Sequence, residues 1–163
     1  MKYIDTSVIV SALDPADSST ISSIELLRRR EKVVSELVIT ELSSFLSGNK
    51  NFVNLMAELS GDRASSSYAV ILYVLQKFDL LFLPVQQTRV EMPIGNCGNI
   101  MSFAVELSRD IPMRALDLLH LSYAHAMMES TKADIELITR DREFEVHKSE
   151  IYRAAGIKVM YFA

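Results

Sequence analysis

Cysteine is almost missing from this chain: Cys97 is the single one among 163 residues. No intrachain disulfide can form, and no cluster of thiolates is available to hold a metal. Histidine is scarce too, with three residues, and they assemble neither a His-Glu-x-x-His zinc pair nor a Ser-His-Asp order. No apolar run is long enough to cross a membrane. Residues 1–10 are apolar but interrupted by Asp5, which argues against a secretory leader, so a cytoplasmic location is expected. Low-complexity tails, linkers and internal repeats are absent as well, and a single domain over 1–163 is the expectation. Excess positive charge is also lacking. The formal net charge is −4, which gives no sign of nucleic-acid binding through overall charge. Acids that hold a divalent cation would distort that count, because each ion cancels two charges locally.

The basic residues that are present cluster. Arg28, Arg29, Arg30 and Lys32 read as a solvated face or a helix C-terminus, whereas Arg140, Arg142 and Lys148 flank Asp141 and are candidates for phosphate contact. Cys97 lies between Asn96 and Gly98 and reads as a spare loop thiol; Met127-Met128 reads as core.

Periodicity supplies the elements. Residues 2–4 form a short apolar strand that ends at Asp5, and Thr6 and Ser7 offer N-cap hydroxyls to a helix through Leu13. A second helix is expected over 18–30, with Ile21, Ile24 and Leu27 inward and arginines in its last turn, followed by a strand at Val33-Val34. Val38, Glu41, Leu42 and Phe45 stand at i, i+3, i+4 and i+7 on one helix face. Phe52, Leu55, Met56 and Leu59 repeat the spacing, and Tyr68, Ile71, Leu72 and Leu75 give a further stripe. The run 80–85 reads as a third strand, and 86–98, with Pro93, Gly95 and Gly98, as a loop. Ile100, Phe103, Ala104 and Leu107 share a helix face; after Pro112 a helix over 114–129 aligns Asp117, Leu121, Ala124 and Met128. Strands at 136–139 and 157–162 close the chain, with a short helix between them. Short apolar strands alternating with helices predict an α/β fold: a three-layer α/β/α sandwich around a central parallel sheet.

Four acids violate the pattern. Asp5 and Asp141 follow buried strands directly, and Glu41 and Asp117 interrupt apolar helix faces. Acidic side chains are almost never fully buried alone. Arginines stand near Asp141 (Arg140, Arg142) and near Asp117 (Arg114), but none is evident for Asp5 or Glu41. In open parallel sheets a site forms outside the carboxyl ends of the strands, where Asp5 and Asp141 fall. Four carboxylates brought together repel unless a cation intervenes, and hard oxygen donors select Mg²⁺ or Mn²⁺ over Zn²⁺. His120, one turn beyond Asp117, reads as a packed or hydrogen-bonded core histidine in preference to a ligand.

At four places the residues resemble one family. Tyr3-Ile4-Asp5-Thr6-Ser7 resembles the opening strand of the PIN-domain ribonucleases, and of the VapC-type toxins among them. The stretch 35–41, ending at Glu41, resembles their second motif. Ala115-Leu116-Asp117-Leu118-Leu119-His120 resembles the third, and Ile138-Thr139-Arg140-Asp141-Arg142-Glu143-Phe144 the fourth. The resemblance implies Mg²⁺- or Mn²⁺-dependent cleavage of RNA, with Asp5, Glu41, Asp117 and Asp141 as catalytic metal ligands. Ser7 and Thr139 become hydroxyls that orient those ligands, and Glu143 an accessory acid. It also implies a homodimer and, for a toxin, an antitoxin protein over the acidic crevice. The extra length between Gly61 and Gly98 departs from a minimal toxin. Two rivals remain: a PIN-like module that holds RNA or a protein without cutting, and a haloacid-dehalogenase-type phosphatase. The phosphatase requires an Asp where this chain has Ser7.

Overall fold

The computed structural model describes residues 1–29, 31–49 and 63–163, with side chains described for all of these except 63–67. Arg30 and the expected helix around Phe52–Leu59 lie outside the described residues.

Five parallel strands make the central sheet, in the order β3-β2-β1-β6-β7. They are β1 (Lys2–Ile4), β2 (Lys32–Val34), β3 (Leu81–Phe82), β6 (Glu136–Thr139) and β7 (Lys158–Tyr161). Helices flank the sheet to complete the expected three-layer α/β/α architecture: α1 (Thr6–Leu13), α2 (Thr20–Leu27), α3 (Glu36–Gly48), α4 (Arg63–Lys77), α5 (Asn99–Leu107), α6 (Ala115–Thr131), α7 (Arg142–Val146) and α8 (Lys148–Ala155). The middle strand, β1, pairs Tyr3 with Val33 on one side and with Leu137 on the other. Chain leaving β1 therefore returns first on one flank and, after more than a hundred residues, on the other. That reversal of direction opens a crevice at the carboxyl end of β1.

The sheet is apolar on both faces. Tyr3, Ile4, Val33, Val34, Leu137 and Ile138 are buried, and Val8, Leu42, Leu46, Leu121, Ala124 and Met127 pack around them. Continuous apolar strands are what a parallel sheet covered by helices demands. Ser35 starts α3 by accepting a hydrogen bond from the Val38 amide on its Oγ, at 3.4 Å, which sets the phase of the helix that carries Glu41.

Five segments differ from the sequence reading. The second helix is shorter than 18–30 and ends at Leu27, so Arg28 and Arg29 fall beyond it; Leu26 and Leu27 are buried while Ile21 is 75% exposed. Lys32 leaves the solvated run altogether: it is buried in β2, and its Nζ donates to the Arg29 carbonyl. On α4 the buried stripe is Val70, Ile71 and Val74, continued by Phe78 just past its end, whereas Tyr68 and Leu72 are exposed. Apolar residues occupy both faces of that helix, so spacing alone could not choose between them. The expected strand over 80–85 shrinks to two edge residues, since Pro84 has no amide to continue the ladder.

The expected loop over 86–98 is instead an antiparallel hairpin, β4 (Arg89–Met92) against β5 (Gly95–Gly98), turning at Pro93-Ile94. Gly95, at φ +117°, takes the backbone conformation that the turn requires and a side chain would strain. Cys97 thus lies in a strand, half-buried. Among the described residues no helix is long and apolar enough to cross a membrane.

Candidate functional site

Asp5, Glu41, Asp117 and Asp141 line one pocket of about 460 Å³ together with Thr6, Ser7, Val10, Arg114, Ala115, Leu116 and His120. Each acid arrives from a different segment. Asp5 follows β1 and sits at the N-cap position of α1. Glu41 lies in the second turn of α3, Asp117 in the first turn of α6, and Asp141 at the N-cap of α7, where its Oδ1 accepts from the Glu143 amide at 2.9 Å. Asp117 and Asp141 thus stand where helix N-termini favour negative charge.

The acids form two groups. Asp5, Glu41 and His120 each bring a ligand atom within 4.8 Å of the others, and so do Asp117, Asp141 and Glu143.

Hydroxyls hold the first group. Ser7 Oγ and Thr139 Oγ1 both donate to Asp5 Oδ2 at 2.6 Å. Thr139 Oγ1 also accepts from the Asp141 amide at 2.9 Å, and Ser7 Oγ accepts from the Arg140 amide at 3.1 Å, so the end of β6 is tied to the end of β1. Thr6, read from sequence as a cap, instead donates to Glu41 Oε2 at 2.5 Å. His120 Nε2 lies 2.9 Å from that same oxygen and 3.5 Å from Asp5 Oδ1. Behind it, His120 Nδ1 meets Tyr3 Oη at 2.9 Å, and Tyr3 Oη meets Ser35 Oγ at 2.7 Å. Burial opposes protonation of His120, but the hydrogen bond to Glu41 and the charges of Asp5, Glu41 and Asp117 outweigh it and place its pKa above the ordinary value. Burial likewise pushes Glu41 upward; its hydrogen bond and charge interaction with His120, helped by the Thr6 bond, more than reverse this, and its carboxyl titrates below the ordinary range.

One guanidinium holds the second group. Arg114 Nε donates to Asp117 Oδ2 at 2.9 Å and lies 3.2 Å from Glu143 Oε2, while Nη2 donates to Asp141 Oδ2. Arg114 does pair with Asp117 as the sequence suggested, but it also takes the place expected for Arg140 or Arg142 beside Asp141. Even so, burial and the charges of Asp141 and Glu143 leave Asp117 above its ordinary pKa despite Arg114.

The three candidates for phosphate contact stand elsewhere. Arg140 Nη1 is bound to Asp17 at 2.5 Å, Lys148 is exposed and paired with Glu145 at 2.5 Å, and Arg142 is exposed. None of the three lines the pocket. A second cavity of about 470 Å³ lies between the hairpin, α5 and α6, where His125 stacks on Phe103 at 4.3 Å between ring centroids. It contains none of the acids that the sequence singles out.

Sequence reasoning missed the breadth of Arg114's contacts, the hydroxyl of Thr6 and the support from Tyr3. A cation three residues before Asp117 was a usable signal for the first; nothing in the pattern announces the other two.

The donor set suits a divalent ion. It offers mostly carboxylate oxygens, and the guanidinium already seated among three of them shows that this cluster accepts a cation.

Solved structures with the same fold include VapBC2 from Rickettsia felis bound to a promoter DNA fragment, at 17% identity, covering all of both chains with a TM-score of 0.57. FitAcB from Neisseria gonorrhoeae is 16% identical over 98% of this chain and 96% of that one, with a TM-score of 0.55. DNA-bound VapBC from Salmonella typhimurium is 14% identical over 99% and 98%, also at 0.55. No curated protein matches this sequence. The family model described as PIN domain matches residues 2–149, which takes in all four acids and both of the hydroxyls that hold Asp5. The chain belongs to the PIN-domain family.

Proposed function

We propose that this PIN domain is a divalent-metal-dependent endoribonuclease and the toxin of a toxin–antitoxin pair. The observation that carries the nuclease reading is the convergence of four acids, from four separate segments, on one pocket at the carboxyl end of the sheet. The toxin reading draws support from solved structures of VapBC and FitAcB with the same fold. A homodimer, an antitoxin partner and a cytoplasmic setting belong to the same proposal.

Asp5, Glu41, Asp117 and Asp141 would hold Mg²⁺ or Mn²⁺, with Glu143 and His120 beside them. When bound, the ion supplies Lewis acidity that makes water a better nucleophile and offsets charge on the phosphate. The rest falls to the chain. Ser7 and Thr139 fix Asp5 through Oδ2 and turn Oδ1 toward His120. Thr6 and His120 fix Glu41 through Oε2. Buried donors of this kind hold carboxylates in place before substrate arrives, so no reorganisation is required during reaction.

Hydrolysis by water leaves 5′-phosphate and 3′-hydroxyl ends on RNA, whereas attack by the RNA's own 2′-hydroxyl leaves a cyclic phosphate. The test is cleavage of a labelled RNA with mapping of the product ends. Asp5→Asn and excess chelator are each expected to stop cleavage. Full activity in either case, or cyclic phosphate ends, rejects the proposal.

A further inference from the structure

The guanidinium of Arg114 and a divalent ion want the same place. The carboxylate oxygens of Asp117, Asp141 and Glu143 lie within 4.8 Å of one another, a spacing that a single small cation also satisfies. Arg114 contacts all three. Three carboxylates so close repel one another, and a positive charge seated between them relieves that repulsion. The Arg114 side chain is 64% exposed, and its backbone is the N-cap residue of α6 in extended conformation. What holds the arginine in place is chiefly its charged head, because an exposed stem has little packing to lose. The other group, Asp5, Glu41 and His120, makes no ion pair with Arg114 and is braced by Ser7, Thr139, Thr6 and Tyr3. The crevice is thus rigid on one side and neutralised by a removable charge on the other.

We propose that Arg114 is a displaceable internal counter-ion, which neutralises Asp117, Asp141 and Glu143 until a divalent cation takes its place. This rests on reading the crevice as a metal site. Its consequence is that Arg114 weakens metal affinity, while keeping the start of α6 and the start of α7 together before metal arrives.

The full chain, labelled with ¹⁵N, tests the exchange directly. The Nε–Hε correlation of Arg114, assigned by its loss in Arg114→Lys, is followed as Mg²⁺ is added. It is expected to move to the position of an unbonded arginine along the same isotherm as the Asp117 and Asp141 amides. Calorimetry with Mn²⁺ provides a second readout. Releasing three ion pairs made by one largely exposed guanidinium corresponds to roughly three- to hundredfold tighter binding in Arg114→Ala. Arg114→Lys falls between the two, since an ammonium keeps the charge without the planar fork. A correlation that stays in place at saturating Mg²⁺, or equal Mn²⁺ affinity in wild type and Arg114→Ala, overturns the exchange and leaves the metal site standing. No binding heat in any of the three proteins overturns both.

Discussion

Replacing Tyr3 with Phe removes one oxygen from the centre of the molecule and little else. Tyr3 is fully buried in the middle strand, and its hydroxyl joins Ser35 Oγ at 2.7 Å to His120 Nδ1 at 2.9 Å. The ring remains in Phe, so the apolar burial is unchanged and the hydroxyl's contribution is isolated. A net hydrogen bond contributes roughly 0.5–1.5 kcal/mol, and a buried partner left unsatisfied costs about 1–3 kcal/mol. Two bonds are lost in the buried interior: His120 Nδ1 is left without its partner, and Ser35 Oγ keeps only the Val38 amide. The expected loss is about 2–3 kcal/mol, with His120 contributing the larger part because Ser35 keeps its contact with the Val38 amide. For a chain of this size that is a fall in melting temperature of about 4–12 °C. The contact tolerates either protonation state of His120, since a phenol donates to a neutral ring nitrogen and accepts from a protonated one. Urea unfolding in metal-free buffer measures the difference, with the slope expected to stay constant. A double-mutant cycle with Ser35→Ala then gives a coupling energy above about 0.5 kcal/mol. If Tyr3→Phe unfolds within about 0.5 kcal/mol of wild type, the chain from Ser35 to His120 does not support the site as argued.

Other outcomes follow from the same geometry. Thr139→Val keeps the shape but deletes a buried hydroxyl that serves both Asp5 and the Asp141 amide; it is expected to cost about 1–3 kcal/mol and to lower kcat for RNA cleavage more than it changes KM. Leu121→Ala, at a fully buried position on α6, is expected to lose about 2–5 kcal/mol in urea unfolding. Asp17 accepts from the Ser19 amide and from Arg140, both of which hold its carboxyl below the ordinary value. Its contribution to stability is therefore complete above the unfolded value and is lost as pH falls through the lower folded one. Carboxyl NMR should show Asp17 titrating low in wild type and closer to its ordinary value in Arg140→Gln, with part of the shift surviving through Ser19.

The sheet was legible because its strands are short, apolar and separated by helical periods. The crevice was legible because acids stood where burial forbids lone charges: Asp5 and Asp141 after strands, Glu41 and Asp117 within apolar stripes. What stayed hidden depended on contacts between distant residues. Thr6 looks like a helix cap until α3 places Glu41 above it. Arg140 adjoins Asp141 in sequence, yet the turn after β6 sends its side chain to Asp17 and leaves Asp141 to Arg114. The hairpin has the sequence of a loop, because glycine and proline mark turns without saying whether the flanks pair.

The seam between β1 and β6 has a consequence for the protein's own synthesis. Asp5 leaves the ribosome first, and Thr139, which fastens it, and Asp141 come more than 130 residues later. A nascent chain cannot assemble the crevice until the segment through Asp141 has been made. Under the nuclease reading, the messenger and ribosome that produce it meet an assembled crevice only once Thr139 and Asp141 have followed Asp5 out of the ribosome.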